Sequence, residues 1–345
     1  MILYDPSIPV SLIEFGILIP IRDSRATRTL DAISRHPDIG PHQKHWHIAS
    51  IDEVLTREDL ARVHTARYLN RLYSPRTVAD EIVATYELVD AKGNYYRYAP
   101  QQAVHPLSEL FERIVHRAAG TVLCGRIALS HGFCFYFSGG MHHAHADFGA
   151  GFCLINDIVV AARKLQAEQR VGTLWVIDVD AHKGDGTASI TAGDESIRTL
   201  SIHMARGWPL DGPRAMDDGR PNPSFTPSNI DIPIEAGMEL EYIPKLEAGL
   251  HQLAQEGRPD LAIVVCGADP FEKDELLSTQ SLRLSLEQML SRDQMVYRFL
   301  DDRRIPAAFL MAGGYGEQVW QVYAQFLIWA LKVRHKRFRS DLPSD

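Results

Sequence analysis

The sequence predicts an α/β fold: a central, mostly parallel sheet with helices on both faces. Three observations carry that expectation. Short apolar runs recur along the chain, each ends in glycine or in side chains able to do chemistry, and helix-compatible segments lie between them. Strands buried on both faces read as continuous apolar stretches, which is what a parallel sheet covered by crossover helices requires.

In chain order, Ser108 to Leu129 is expected as a helix, with Ser108 as its N-cap and Glu109 in the first turn. The strand Phe133 to Phe137 then runs into Ser138-Gly139-Gly140. Asn156-Asp157 opens a second helix that places Ile158, Val159, Ala162 and Leu165 on one face and Arg163 and Lys164 outside it. Four further strands follow: Leu174 to Ile177 ends at Asp178, Leu200 to Ile202 at His203, Leu261 to Cys266 at Gly267-Ala268-Asp269, and Ala307 to Met311 at Ala312-Gly313-Gly314-Tyr315. Glu239 to Glu256 and Gln280 to Leu300 are expected as crossover helices. Val319 to Val333, interrupted by Gln321 and Gln325, is expected as an amphipathic surface helix, too short to span a bilayer.

The 345 residues allow two average domains, but no repeat, low-complexity tract or long linker divides them, so one domain over 1–345 is expected. Lys and Arg number 36 against 44 Asp and Glu, a net charge of −8, which argues against a surface that tracks phosphates and hence against direct nucleic-acid binding. Cys124, Cys134, Cys153 and Cys266 form no C-x-x-C pair and read as reduced, buried thiols of a cytoplasmic protein. The apolar stretch Ile8 to Ile21 contains Pro9, Glu14 and Pro20 and does not read as a secretory leader. The basic run Arg334 to Arg339 reads as a solvated end.

Ligands of open α/β sheets bind beyond the carboxyl ends of the strands, so chemistry is sought there. The densest cluster is Asp178-Val179-Asp180-Ala181-His182-Lys183-Gly184-Asp185-Gly186. If strand geometry persists past Asp178, the period of two aligns Asp178, Asp180 and His182. Two carboxylates and an imidazole suit zinc, whose catalytic sites use three protein ligands and an open position; Asp269 at another strand end is the natural further supplier. A lone Asp after a strand usually caps the next element, but three alternating ligand-type residues would be costly to bury without a cation.

A second cluster, Gly139-Gly140-Met141-His142-His143-Ala144-His145, places imidazoles after a tight turn, where His142 and His143 can exchange protons near neutrality. A surface histidine tract or a satisfied buried pair is the plainer alternative. Tyr315, between glycines, can offer a hydroxyl to an oxyanion or merely shield the core edge. Gly149-Ala150-Gly151-Phe152-Cys153 lacks the third glycine and the lysine of phosphate loops. Phe152 and Trp208 are candidate walls of a narrow channel, or ordinary core.

Taken in order, Gly-Gly-x-His-His, Gly-Phe-Cys-x-x-Asn-Asp, Asp-x-Asp-x-His-x-Gly-Asp-Gly, Gly-Ala-Asp and Gly-Gly-Tyr resemble the zinc-dependent histone deacetylase family from about Val54 through Tyr315. Glu58-Asp59-Leu60, Val63-His64-Thr65, Arg67-Tyr68-Leu69-Asn70, Asp180-Ala181-His182 and the short Ala312-Gly313-Gly314-Tyr315 are most similar to its class IV branch. The resemblance implies an arginase/deacetylase-like fold with the metal site at the strand C-terminal ends, and one zinc held by Asp180, His182 and Asp269. It implies His143 as general base and acid oriented by Asp185, His142 as an electrostatic neighbour partnered by Asp178, and Tyr315 as the group that polarises the amide carbonyl. It further implies that Gly151, Phe152 and Trp208 line an acyl-lysine channel and that Asp178, Asp180, His182 and Ser201 surround a structural potassium ion.

The implied activity is hydrolysis of N-acyl-lysine amides, on an acyl-lysine protein or a small acylated amine such as an acetylpolyamine, with long-chain fatty-acyl-lysine as a further substrate class. A two-manganese ureohydrolase would need more acidic ligands than Gly267-Ala268-Asp269-Pro270-Phe271 offers. A non-catalytic acyl-lysine reader would not need His143 and Tyr315 together. The sequence departs from the family pattern at Lys183, where many relatives carry a second histidine, at Met141, and over Phe271 to Gln280, which does not align. Arg25 resembles an arginine of a product-exit channel, although an exposed position on an N-terminal helix is its plainer reading.

Overall fold

Eight strands form one sheet in the order β2-β1-β3-β8-β7-β4-β5-β6, every pairing parallel, in a computed structural model that describes residues 1–7 and 11–340, side chains 336–340 excepted. The strands are β1 (Ile2–Leu3), β2 (His47–Ile48), β3 (Phe133–Tyr136), β4 (Leu174–Asp178), β5 (Ile197–Met204), β6 (Ile230–Ile234), β7 (Leu261–Val265) and β8 (Ala307–Leu310). The five expected strands are β3, β4, β5, β7 and β8. The edge strands β1 and β2 are two residues each, below what an apolar run can signal, and β6 is broken by Asp231 and Pro233.

Helices α1 (Ser24–Ser34), α2 (Arg57–Ala61), α3 (Ala66–Leu72), α4 (Val78–Thr85), α5 (Leu110–His131), α6 (Asp157–Ala167), α7 (Asp185–Thr191), α8 (Tyr242–Gln255), α9 (Leu286–Asp302) and α10 (Trp320–Ser340) complete the chain. Three starts differ from expectation. The helix expected from Glu239 begins at Tyr242, Glu239–Glu241 forming a short 3-10 turn before it. Ser108 lies inside a short 3-10 turn, Leu107–Glu109, and does not cap α5. The helix expected from Gln280 begins at Leu286, because Ser285 and Gln288 form a reciprocal capping box there, while Leu284 bridges back to Phe271. Asn156 does open α6, accepting a hydrogen bond from the Val159 amide.

Adjacent residues of each central strand enter opposite cores. Leu174 and Val176 of β4 face a cluster built with α3 to α6, whereas Trp175 and Ile177 face one built with α8, α9 and α10. The same division separates Cys134 and Tyr136 from Phe133 and Phe135, and Ala308 and Leu310 from Ala307 and Phe309. Helix α10 packs on α1 and α9, burying Val322, Tyr323, Phe326 and Leu327, so its apolar face is covered within the chain. Arg334 is partly exposed rather than free in solvent: its guanidinium reaches the His131 carbonyl and lies 5.7 Å from the Phe133 ring. The side chains of Lys336 to Arg339 lie outside the described residues, as do Ile8 to Val10 of the apolar N-terminal stretch and positions 341–345. Among the described residues, no helix is long and apolar enough to cross a membrane. All four cysteines are free and buried.

Candidate functional site

The carboxyl ends of β3, β4, β7 and β8 converge. Asp180 and His182 follow β4, Asp269 follows β7, and one ligand-type atom from each lies within 4.8 Å of the others, all three buried. His182 Nδ1 stands 3.2 Å from Asp269 Oδ2 and 3.4 Å from Asp180 Oδ1. Asp178 is not in this group. β4 ends at Asp178, so the alternation of two does not carry on past it, and the Asp178 carboxylate turns to His142.

The backbone is shaped to hold the carboxylates close. A Cβ at Gly267 or Gly313 would overlap the Asp180 carboxylate and crowd that of Asp269. Gly313 donates its amide to Asp180 Oδ2 at 3.1 Å, and Ala181 donates to Asp269 Oδ1 at 3.0 Å. Asp269 Oδ2 is buried with no hydrogen-bond partner. A buried oxygen left without a donor, beside a second carboxylate and an imidazole nitrogen, is a donor set that fits zinc. His142, His143 and Asp180 form another close trio, but with a single carboxylate it offsets less of a dication's charge.

The histidine turn is held from below. Asp157, at the start of α6, accepts the amides of Gly140 at 3.0 Å and Met141 at 2.7 Å. The Asn156 side-chain amide donates to the Ala144 carbonyl at 3.1 Å. His142 Nδ1 meets Asp178 Oδ2 at 2.6 Å, and His143 Nδ1 meets Asp185 Oδ1 at 2.7 Å. A carboxylate only accepts, so the His143 ring carries its proton on Nδ1 and keeps the Nε2 lone pair free.

The two neighbouring imidazoles are driven apart. Burial and the positive field of His142 push His143 down to about 3, so it is neutral at pH 7. Burial opposes charge on His142 too, but Asp178 and Asp180 more than offset it and hold that pKa up at about 9. Such opposed pairs separate a base from a fixed cation. Burial and the adjacent Asp180 charge raise Asp269 to about 6. Burial raises the Tyr315 hydroxyl well above its ordinary range, so Tyr315 is a proton donor at neutral pH.

Tyr315, His142, His143, Asp180 and His182 all border one cavity of about 360 Å³. On one side Gly151 and Phe152 line it, and the Trp208 ring stands 4.4 Å from the His143 ring. The Phe152 ring lies 6.3 Å from that of Tyr315. Phe152 and Trp208 are both partly exposed rather than buried in the core; Phe152 lines the cavity, whereas Trp208 is not among its lining residues. On the other side the cavity continues past the donor group to Leu12, Ile19, Ile21, Arg25 and Ile114. Arg25 is therefore not an exposed helix position: it is buried and donates to the carbonyls of Ala312 at 2.7 Å and Gly314 at 3.1 Å. Ser201 pairs in register with Asp178 across β5 and β4, and its hydroxyl accepts the Gly184 amide at 3.4 Å.

Four residues with no sequence-stated part stand around these groups. His145 Nε2 meets the second oxygen of Asp185 at 3.2 Å; the Ser278 hydroxyl meets His182 Nε2 at 3.2 Å. Asp274 accepts the Tyr315 amide at 2.7 Å, from within the segment that resisted alignment. Asp157, read only as a helix opener, also fixes the histidine turn.

A model of the histone deacetylase domain matches residues 19–331. The chain belongs to the histone deacetylase family. Among curated proteins, this histone deacetylase family chain is similar to histone deacetylase 2 of Arabidopsis thaliana, at 28% identity over 77% of the chain and 63% of that protein. An uncharacterized protein of Picosynechococcus is 28% identical over 60% of the chain and 64% of its own length. The acetoin utilization protein AcuC of Staphylococcus aureus is 23% identical over 78% of the chain and 66% of its own length. The family chain thus spans under two thirds of the length of the first two of these relatives.

Proposed function

We propose that the protein is a zinc-dependent amidohydrolase of N-acyl-lysine, its 345 residues acting as a single catalytic domain. The observation that carries this reading is the neutral His143, paired with Asp185 and bordering the same cavity as Asp180 and His182, whose ligand-type atoms group with that of the buried Asp269. Asp180, His182 and Asp269 would hold one zinc per chain. When bound, zinc supplies Lewis acidity at the substrate carbonyl and lowers the pKa of water to about 7.

His143 takes a proton from the attacking water on its free Nε2, while Asp185 holds the imidazole in the tautomer that allows it. The Tyr315 hydroxyl donates to the oxygen that becomes negative as the C–O bond forms. His142, kept cationic by Asp178 and Asp180, steadies the same charge without giving up its proton. His143 then returns its proton to the lysine amine as the C–N bond breaks, leaving a carboxylate and a free amine. Gly151, Phe152 and Trp208 flank the lysine stem, whose methylenes suit aromatic walls. The adjacent Asp178 and Ser201 support a structural potassium site with Asp180 and His182, holding the metal loop rather than reacting. The reduced, buried cysteines support a cytoplasmic protein.

A second reading, long-chain acyl-lysine as substrate, is favoured by Leu12, Ile19, Ile21 and Ile114, which line the same cavity together with the charged Asp5, Asp23, Arg25 and Arg117. Protein acyl-lysine is read ahead of acetylpolyamine because the charge beside the Phe152 ring is a closed pair, Arg97 with Glu87 at 2.6 Å, with no net negative charge there to draw a polyamine. The test of the chemistry is Tyr315→Phe. Zinc content should stay at one per chain while turnover of a short acyl-lysine peptide falls on the order of 10²–10³-fold. Unchanged turnover would remove the oxyanion role.

A further inference from the structure

Arg292, on α9, is the largest side chain buried to 0% exposure, and nothing in the chemistry above uses it. Its guanidinium is fully engaged. Nη1 donates to the Val179 carbonyl at 2.9 Å and to the Gly267 carbonyl at 2.8 Å; Nε donates to Asp293 Oδ1 at 2.8 Å, and Nη2 lies 2.7 Å from the same oxygen. Nη2 also reaches Cys266 Sγ at 3.8 Å.

The two carbonyls are placed tellingly. Val179 immediately precedes Asp180 and Gly267 stands two residues before Asp269, so one nitrogen ties together the loops that leave β4 and β7. Those loops carry carboxylates that repel one another, and a buried cation behind them, with its position fixed by Asp293, opposes their separation. The planar fork makes these contacts at once, which a lysine ammonium has no geometry to do.

We propose that Arg292, anchored by Asp293, is a positioning residue for the zinc site: it sets the spacing of Asp180 and Asp269 from the helix behind the sheet. The inference deepens the zinc reading given above and rests on it. A buried ion pair is weak evidence for stability, since an apolar pair of similar volume often folds as well or better. Zinc affinity therefore distinguishes positioning from packing.

The test measures zinc affinity by competition with a chelator, in protein whose circular dichroism shows it folded, for the parent, Arg292→Lys and the double variant Arg292→Met/Asp293→Leu. The double variant removes the pair together and leaves no unpaired charge, so it folds where Arg292→Met alone would strand Asp293. Tyr242→Phe serves as the neighbouring control, because the Tyr242 hydroxyl lies beside Arg292 yet hydrogen-bonds neither loop carbonyl, so its loss disturbs the surroundings of the guanidinium without cutting its ties. Both Arg292 variants should bind zinc on the order of 10–100-fold more weakly, whatever their melting temperatures, with Tyr242→Phe within about twofold of the parent. A folded double variant with parental zinc affinity overturns the inference and leaves the zinc reading standing. A parent chain that takes up no zinc overturns that reading, and the inference with it.

Discussion

His64 shows how a single side chain can be read to its protonation state. Its Nδ1 lies 3.0 Å from the His145 carbonyl, which only accepts, and its Nε2 takes the Asn156 amide at 3.0 Å, which only donates. The ring is therefore neutral with its proton on Nδ1, and burial pushes its pKa down to about 4. The folded pKa lies below the ordinary histidine value, so the unfolded chain binds the extra proton between about 6.5 and 4. Stability contributed by neutral His64 is thus full above pH 6.5 and is lost as the pH falls through that window, by roughly 3 kcal/mol at its lower end. Urea unfolding at pH 7.5 and pH 5 should show a drop that shrinks in His64→Gln; an identical drop in both proteins would rule out the assignment. The same ring links the turn after His143 to the start of α6, so its protonation also loosens the frame behind His142 and His143.

Elements differ in how plainly the sequence announces them. β4, β7 and β8 were legible because both faces are buried and nearly every residue is apolar; β1 and β2 were not, because two residues hold no pattern and their place is set by pairing with β3. α9 begins late because local capping chemistry at Ser285 outweighs the helix-compatible residues before it. At the site, Asp180, His182, Asp269, His142, His143, Asp185 and Tyr315 were marked by their position after strands. Arg292 was not: an arginine inside a helix reads as solvent-facing, and only the crossing of α9 behind the sheet turns it towards the loops. The layer between the sheet and α10 can be tested directly. Phe309 is fully buried among Phe133, Phe135 and Phe326. Phe309→Ala should lower unfolding free energy by about 3–5 kcal/mol, read from the urea midpoint, whereas a loss under about 1 kcal/mol would mean that this layer is loosely packed.

Across the whole molecule, the sheet brings charge together that the chain keeps far apart. Asp178, Asp180, Asp185 and Asp269 contribute to the net −8, yet they gather at one end of the sheet, where His142 offsets part of their charge and the proposed zinc would offset more. The formal charge thus overstates how negative the metal-loaded protein is. Both cores hold the strands whose ends border one cavity, lined by His142, His143, Asp180, His182 and Tyr315 and by the apolar Leu12, Ile19, Ile21 and Ile114. The most direct measurement is a turnover panel on zinc-loaded protein, comparing acetyl-lysine peptides, longer acyl-lysine peptides and acetylated polyamines by release of carboxylate and amine. The account predicts hydrolysis of the acyl-lysine peptides in preference to the polyamines, with the longer acyl groups accepted. Binding of acylated peptides at one zinc per chain with no hydrolysis of any of them would contradict it.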